Sequence, residues 1–160
     1  MTTTLAAIEA AQSKLADDHA RINAMIDEFK KLPRATEYRV DAATIPLAAG
    51  ERFAGTILDE DGALSHYLIL LPGEAEDVTW DQARDWAEQH GGELPSRREQ
   101  SLLFTNLPGE FESAWYWSGE EAETSGWAWC QTFYGGLQYS YPQRDQLRAR
   151  AVRRFIPSVI

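Results

Sequence analysis

The hydrophobic pattern changes period three times along the chain, and each change predicts a different element. From Leu5 to Phe29 the seam positions Leu5, Ile8, Gln12, Leu15, His19, Ile22, Ile26 and Phe29 recur at alternating spacings of three and four. That is a heptad repeat. One series (Ile8, Leu15, Ile22, Phe29) is wholly apolar, and the other carries Gln12 and His19. Such a narrow seam predicts a helix that pairs with copies of itself as a coiled coil, with the polar positions fixing register and strand number. A parallel homotrimer is preferred over a dimer, because Gln12 and His19 then meet their symmetry mates. The alternative is an amphipathic helix docked on its own domain, which usually shows a wider apolar stripe. Thr4 is the expected N-cap and Pro33 the expected stop, with Lys30 and Lys31 at the negative end of the helix dipole. The predicted organisation is therefore an oligomerisation helix over 1–33 and a second domain over 34–160.

Beyond the connector "LPRAT" the period falls toward two. "EYRV", "RFAGTIL" and "SHYLILL" read as strands, the last two joined through the Asp-Gly of "DEDGA". "LPGEAED" reads as a loop. Two helices are announced by capping boxes: Thr79 with Gln82 opens one over about 80–90, and Ser96 with Glu99 opens one over about 97–106. Gly91-Gly92 and Pro108-Gly109 close them. After residue 114 the alternation returns. Trp115 and Trp117 share one face; Trp127, Trp129, Gln131 and Phe133 share another, opposite Ala128, Cys130, Thr132 and Tyr134. "YGGLQYSYPQRDQ" reads as turn, short strand and loop, and "LRARAVRRF" as a closing strand. The order helix, strands, two helices, strands predicts an α+β fold.

Composition narrows the function. The net charge of −10 opposes binding to nucleic acid or to an anionic membrane. It suits a solubilising surface or a basic partner. The single cysteine, Cys130, excludes an internal disulfide and a cysteine-rich zinc site. No signal peptide is visible at the start and no stretch approaches a membrane span, so no membrane insertion is expected.

Four motifs in order carry a resemblance: "GGELPSRREQSLLF", "WYWSG", "WAWCQTFYGG" and "RARAVRRF". Over about Val78 to Phe155, roughly half the chain, they resemble the Lcl C-terminal-like domain family of bacteria and phages. The segment "LLPGEAEDVTW" also looks like small tail-associated proteins from phages of Gram-negative bacteria. The resemblance implies a C-type-lectin-like fold, with two short helices flanking a twisted, mainly antiparallel sheet and loops on one side that bind the ligand. Calcium-dependent lectins with this fold use an acidic-Pro-Asn or Gln-Pro-Asp loop and a Trp-Asn-Asp. Neither occurs here, and the nearest stretch, "YPQRD", lacks the ligand set. Formylglycine-generating oxidases share the fold but need paired cysteines. No metal or cofactor is therefore expected, and Glu120, Glu121 and Glu123 read as a solvated run. The three histidines, His19, His66 and His90, show no nucleophile–base–orienter grouping along the sequence, so no enzyme is expected.

Four of the six tryptophans fall within 114–136. Trp115, Trp117 and Trp127 read as core. Trp129, Tyr134, Gln138, Tyr139, Tyr141, Gln143, Arg144 and Asp145 read as a ligand-binding face, since tyrosine gives contact area at low entropic cost. The expectation is a trimeric, non-enzymatic phage tail-fibre or receptor-binding component. It would recognise a bacterial surface receptor or another tail protein, be made in the host cytoplasm and reside in the virion. The alternative expectation is an intracellular acidic interaction protein of phage origin that binds a basic host protein.

Overall fold

The computed structural model describes residues 4–32 and 43–157. The chain divides into two compact units, residues 1–42 and 43–160. The strand expected at 37–40, and Pro33, lie outside the described residues.

In the first unit, helix α1 spans Leu5–Lys31. Thr4 caps it, its hydroxyl accepting from the Ala7 N–H at 3.3 Å. Lys30 and Lys31 lie in the last turn, and the N–H of Leu32 returns to the carbonyl of Phe29. No residue of α1 is buried; Leu15 is 70% exposed and Phe29 65%. None of the described helices is long and apolar enough to cross a membrane.

The second unit is α+β. Its strands are β1 (Arg52–Leu58), β2 (Leu64–Leu70), β3 (Ala75–Val78), β4 (Trp115–Glu121), β5 (Trp127–Thr132), β6 (Gln138–Pro142), β7 (Leu147–Ala149) and β8 (Val152–Phe155). Helices α2 (Trp80–Gln89) and α3 (Arg97–Asn106) lie between β3 and β4 in sequence, and a single 3-10 turn follows at Pro108–Glu110. Both capping boxes form with reciprocal hydrogen bonds. The strands make two sheets, ordered β1-β2-β8 and β3-β7-β4-β5-β6. All pairings are antiparallel except β4 with β7.

Two expectations are corrected here. Residues 75–77, read as part of the loop 71–77, belong instead to strand β3, which pairs antiparallel with β7. "LRARAVRRF" is two strands and not one: Arg148 pairs with Tyr116 in the larger sheet, whereas Val152 pairs with Leu70 in the smaller. The break falls at Arg150, whose buried guanidinium donates to the carbonyls of Leu71 (3.2 Å) and Glu110. A charge held in this way stops the strand from continuing in one sheet.

Strand alternation places the core on both faces of the larger sheet. On one face Trp117, Ala128 and Cys130 pack with Trp80, Ala83 and Ala87 of α2. On the other Tyr116 and Phe133 pack with Leu103 of α3 and with Leu68 and Leu70 of β2. Thus α2 covers one side, and α3 fills the space between the two sheets. Gly92 is required where the chain re-enters this core. A Cβ there would lie 2.5 Å from the carbonyl oxygen of Val152.

Candidate recognition surface

The tryptophans separate into two kinds. Trp80 and Trp117 are buried, and their indole N–H groups donate to the carbonyls of Ser118 (2.8 Å) and Val78 (2.9 Å). Trp115, Trp127 and Trp129 are half-buried. Their indole N–H groups have no acceptor among the described residues. Trp115 still packs against the α2-side core. Trp127, expected in the core, instead lines an open cleft. Alternation alone could not separate these cases, because β5 is covered on both faces.

The residues expected to form one face fall into four places. Tyr139 and Tyr141 lie on β6, an edge strand of the larger sheet. The register pairs Tyr139 with Cys130 and Tyr141 with Ala128, so both tyrosines share a face with Trp115 and Trp117. Their rings meet edge-on at 5.7 Å, and Tyr141 meets Trp115 edge-on at 5.3 Å. Tyr139 is 54% exposed, so the strip runs from the core margin out into solvent.

Trp129 and Gln138 lie on the opposite face. The Arg97 guanidinium stacks 3.6 Å from the Trp129 ring centroid. Gln138 accepts from Arg97 Nε (3.1 Å) and donates to the carbonyl of Arg97 (2.7 Å) and to Oε1 of Gln131 (2.9 Å). These side chains clasp the start of α3 to the sheet, so one ring face of Trp129 is occupied by the protein itself. Tyr134 stands alone on the β5–β6 turn, 84% exposed. Gln143, Arg144 and Asp145 follow β6 in a turn closed by the Asp145 N–H on the carbonyl of Pro142 (2.9 Å). Gln143 and Arg144 border the same cleft as Trp127.

Sequence reasoning missed a buried polar cluster. Glu99, beyond its capping role, is 2% exposed. Its carboxylate accepts from Arg154 (2.6 and 2.9 Å), from the Ser96 N–H (2.8 Å) and pairs with His66 Nε2 (2.7 Å). Burial pushes its pKa up, but the Arg154 and Ser96 hydrogen bonds outweigh burial and hold the carboxyl below its usual range. Ser65 Oγ lies 2.9 Å from His66 Nδ1, completing a hydroxyl–imidazole–carboxylate chain. Arg154 neutralises the carboxylate, which makes this an ion-pair lock between β2, α3 and β8. On the other side of the sheet, desolvation raises the buried Cys130 thiol to about 12, keeping it protonated and unreactive.

A second concavity, about 890 Å³, is strongly acidic. Asp81, Asp85, Glu88, Glu93 and Glu120 face it, against Arg84 and Arg154. Among the described residues no three His, Cys, Asp or Glu side chains converge so as to hold a metal ion.

No protein-family model matches the chain, and no curated protein matches it.

Proposed function

We propose that this chain is a non-enzymatic recognition module: a C-type-lectin-like head carried on a trimerising N-terminal helix, serving as a tail-fibre or receptor-binding component of a phage. The carrying observation is the edge-strand strip Trp115–Tyr141–Tyr139. It presents aromatic area at a sheet margin where neighbouring backbone is already ordered. Large, rigid, amphipathic side chains on a fixed scaffold are what recognition surfaces use. The exposed heptad seam of α1 supports multivalency, since three linked heads convert weak single-site binding into avidity. The motif resemblance to the Lcl C-terminal-like family supplies the phage setting, a bacterial surface as target and the virion as location.

The direct test is binding of the full chain to Gram-negative host cells. Tyr139→Ala with Tyr141→Ala should lower binding at least tenfold in a variant that stays folded, though melting somewhat lower because Tyr141 packs against the core. Unchanged binding by the folded double variant overturns the reading.

The acidic cleft favours a second reading, an interaction protein for a basic host partner. Association of that kind weakens steeply with salt. A lysate pull-down in which no captured protein is released by raised salt counts against it.

A further inference from the structure

We infer that the free edge of β6 takes an extended segment of another protein as a further strand of the larger sheet. The inference rests on the recognition reading above and gives its target a class: polypeptide, held through the main chain. The direction of the backbone groups along β6 follows from its register. The Thr132 N–H donates to the Leu137 carbonyl (2.9 Å) and the Gln143 N–H to the Gly126 carbonyl (2.8 Å), at the two ends of the β5–β6 ladder. Between them the register runs without a shift. Bonded and non-bonded pairs alternate in an antiparallel ladder. Tyr139 and Tyr141 therefore bond inward to Cys130 and Ala128, and the Cys130 thiol also donates to the Tyr139 carbonyl (3.3 Å). Gln138 and Ser140 turn their N–H and C=O groups outward, where the sheet ends. At Pro142 the row stops, since proline has no N–H and its carbonyl already accepts from the Asp145 N–H (2.9 Å).

The other sheet edges among the described residues are guarded. Sheets protect their edges with bulges, charges or covering groups. Along β1 the ladder shifts register twice, and the carbonyls of Ala54 and Leu58 accept from Asn106 (2.6 Å) and Arg98 (2.9 Å). The edge of β3 is broken by a register shift and by Asp77 at φ 50°. On β8, Val152 exchanges both backbone bonds with Glu93 (2.8 and 2.9 Å), and Arg153 and Arg154 follow. Before Pro142, β6 has no bulge and no charged side chain. An open edge of that kind is a template for strand addition. A second copy of β6 is the poorer occupant. Like strands pair across a two-fold axis, which a parallel three-stranded stalk does not supply.

The edge also specifies the side chains of its occupant. In an antiparallel partner, the residues opposite Gln138 and Ser140 exchange N–H and C=O with them, so neither is proline. The residues opposite Tyr139 and Tyr141 fall on the tyrosine face. Tyr139 is 54% exposed and meets Tyr141 edge-on, so apolar or aromatic side chains gain cover there. The face shared by Gln138 and Ser140 is polar and suits polar side chains. The occupant is thus an extended segment that alternates polar and apolar. The edge is ordered before it arrives: Gln138 Nε2 donates to the Arg97 carbonyl (2.7 Å) and to Gln131 Oε1 (2.9 Å), fixing the start of β6. A pre-built site loses less free energy to ordering on binding. Main-chain bonds supply the affinity of such an addition, and alternate side chains its specificity.

The experiment titrates the full-length, 15N-labelled protein with acetylated, amidated heptapeptides in which threonine alternates with tyrosine, phenylalanine, valine or leucine. In the free protein the Gln138 and Ser140 amides should exchange quickly with solvent, and those of Tyr139 and Tyr141 slowly. At least one peptide should shift the Gln138 and Ser140 amide resonances saturably and slow their exchange about tenfold. N-methylation of its threonines removes the donors on the bonded edge and should weaken binding about tenfold. N-methylation of its apolar residues, whose N–H groups point away, should leave binding unchanged. Ser140→Pro removes an outward donor without touching the β5 ladder, and should also weaken binding about tenfold. The inference is overturned if no peptide shifts these two amides, or if the threonine-methylated peptide binds as tightly as its parent. It is equally overturned if both amides are already protected in the free protein, as a second copy on the edge would make them. Cell binding separates the two proposals. Silent peptides together with Tyr139- and Tyr141-dependent cell binding remove only the strand addition. Silent peptides with cell binding indifferent to both tyrosines remove the recognition reading as well.

Discussion

The two units of this chain bury their apolar side chains in opposite ways. The head hides Trp117, Tyr116, Leu68, Ile69 and Leu70 almost completely behind its own helices and strands. The helix α1 hides nothing: Ile8, Leu15, Ile22, Ile26 and Phe29 are all exposed. A core of the first kind stabilises by unimolecular folding. A seam of the second kind stabilises only when something else covers it. The head should therefore melt at a temperature independent of protein concentration, and the helix at one that rises with it.

The largest test of that contrast is Trp117→Ala. Removing a fully buried indole should cost the head about 3–5 kcal/mol while leaving the helix transition unmoved. Calorimetry over a range of concentrations would read both transitions. If both fall together, the units are not thermodynamically separate.

Glu99→Gln comes next. Removing one partner of a buried ion pair costs about 3 kcal/mol. The sign with pH follows from the lowered folded pKa. The stabilisation is complete above the unfolded carboxylate value and is lost as pH falls through the folded one. The wild-type head should lose stability on acidification below the ordinary carboxylate value of 4.5. In the Gln variant that part of the pH dependence should vanish, and chemical denaturation at a series of pH values checks it.

How much of this was legible beforehand differs between the units. The helix could be read almost entirely, because its signals are local: a heptad seam, Thr4 as cap and paired lysines at the end. The same holds for α2 and α3, whose capping boxes span four residues each. The head's other features depend on distant partners. Nothing near Glu99 in the sequence reveals Arg154 or His66, so a surface-type capping residue conceals a buried charge. "LRARAVRRF" alternates like one strand, and only the reach of Arg150 back to Leu71 and Glu110 divides it. The candidate site was legible as a stretch but not as a surface. Alternation sends Tyr139 and Trp129 to opposite faces, and the cleft at Trp127 needs the start of α2, more than forty residues earlier in sequence, to exist.

Smaller substitutions sharpen the comparison from the helix side. Gln12→Ile should strengthen association, since a polar seam residue specifies register at a cost in stability. Light scattering should then show tighter assembly, or a changed strand number, with the head's transition unmoved. Last in size is Thr4→Ala. It should cost about 1 kcal/mol of helix stability, visible only in the concentration-dependent transition. A shift of the head's melting temperature in that variant would break the separation from the other direction.

The divided end of the chain also has a consequence for biosynthesis. Strand β7 lies inside the larger sheet, between β3 and β4, and β8 completes the smaller. Neither sheet can close until residues 147–155 have emerged from the ribosome. The helix, made first, meets no such delay. If α1 trimerises as proposed, neighbouring nascent chains on one messenger associate through it while every head is still open. A premature stop near Arg148 would then leave assembled stalks bearing unfinished heads.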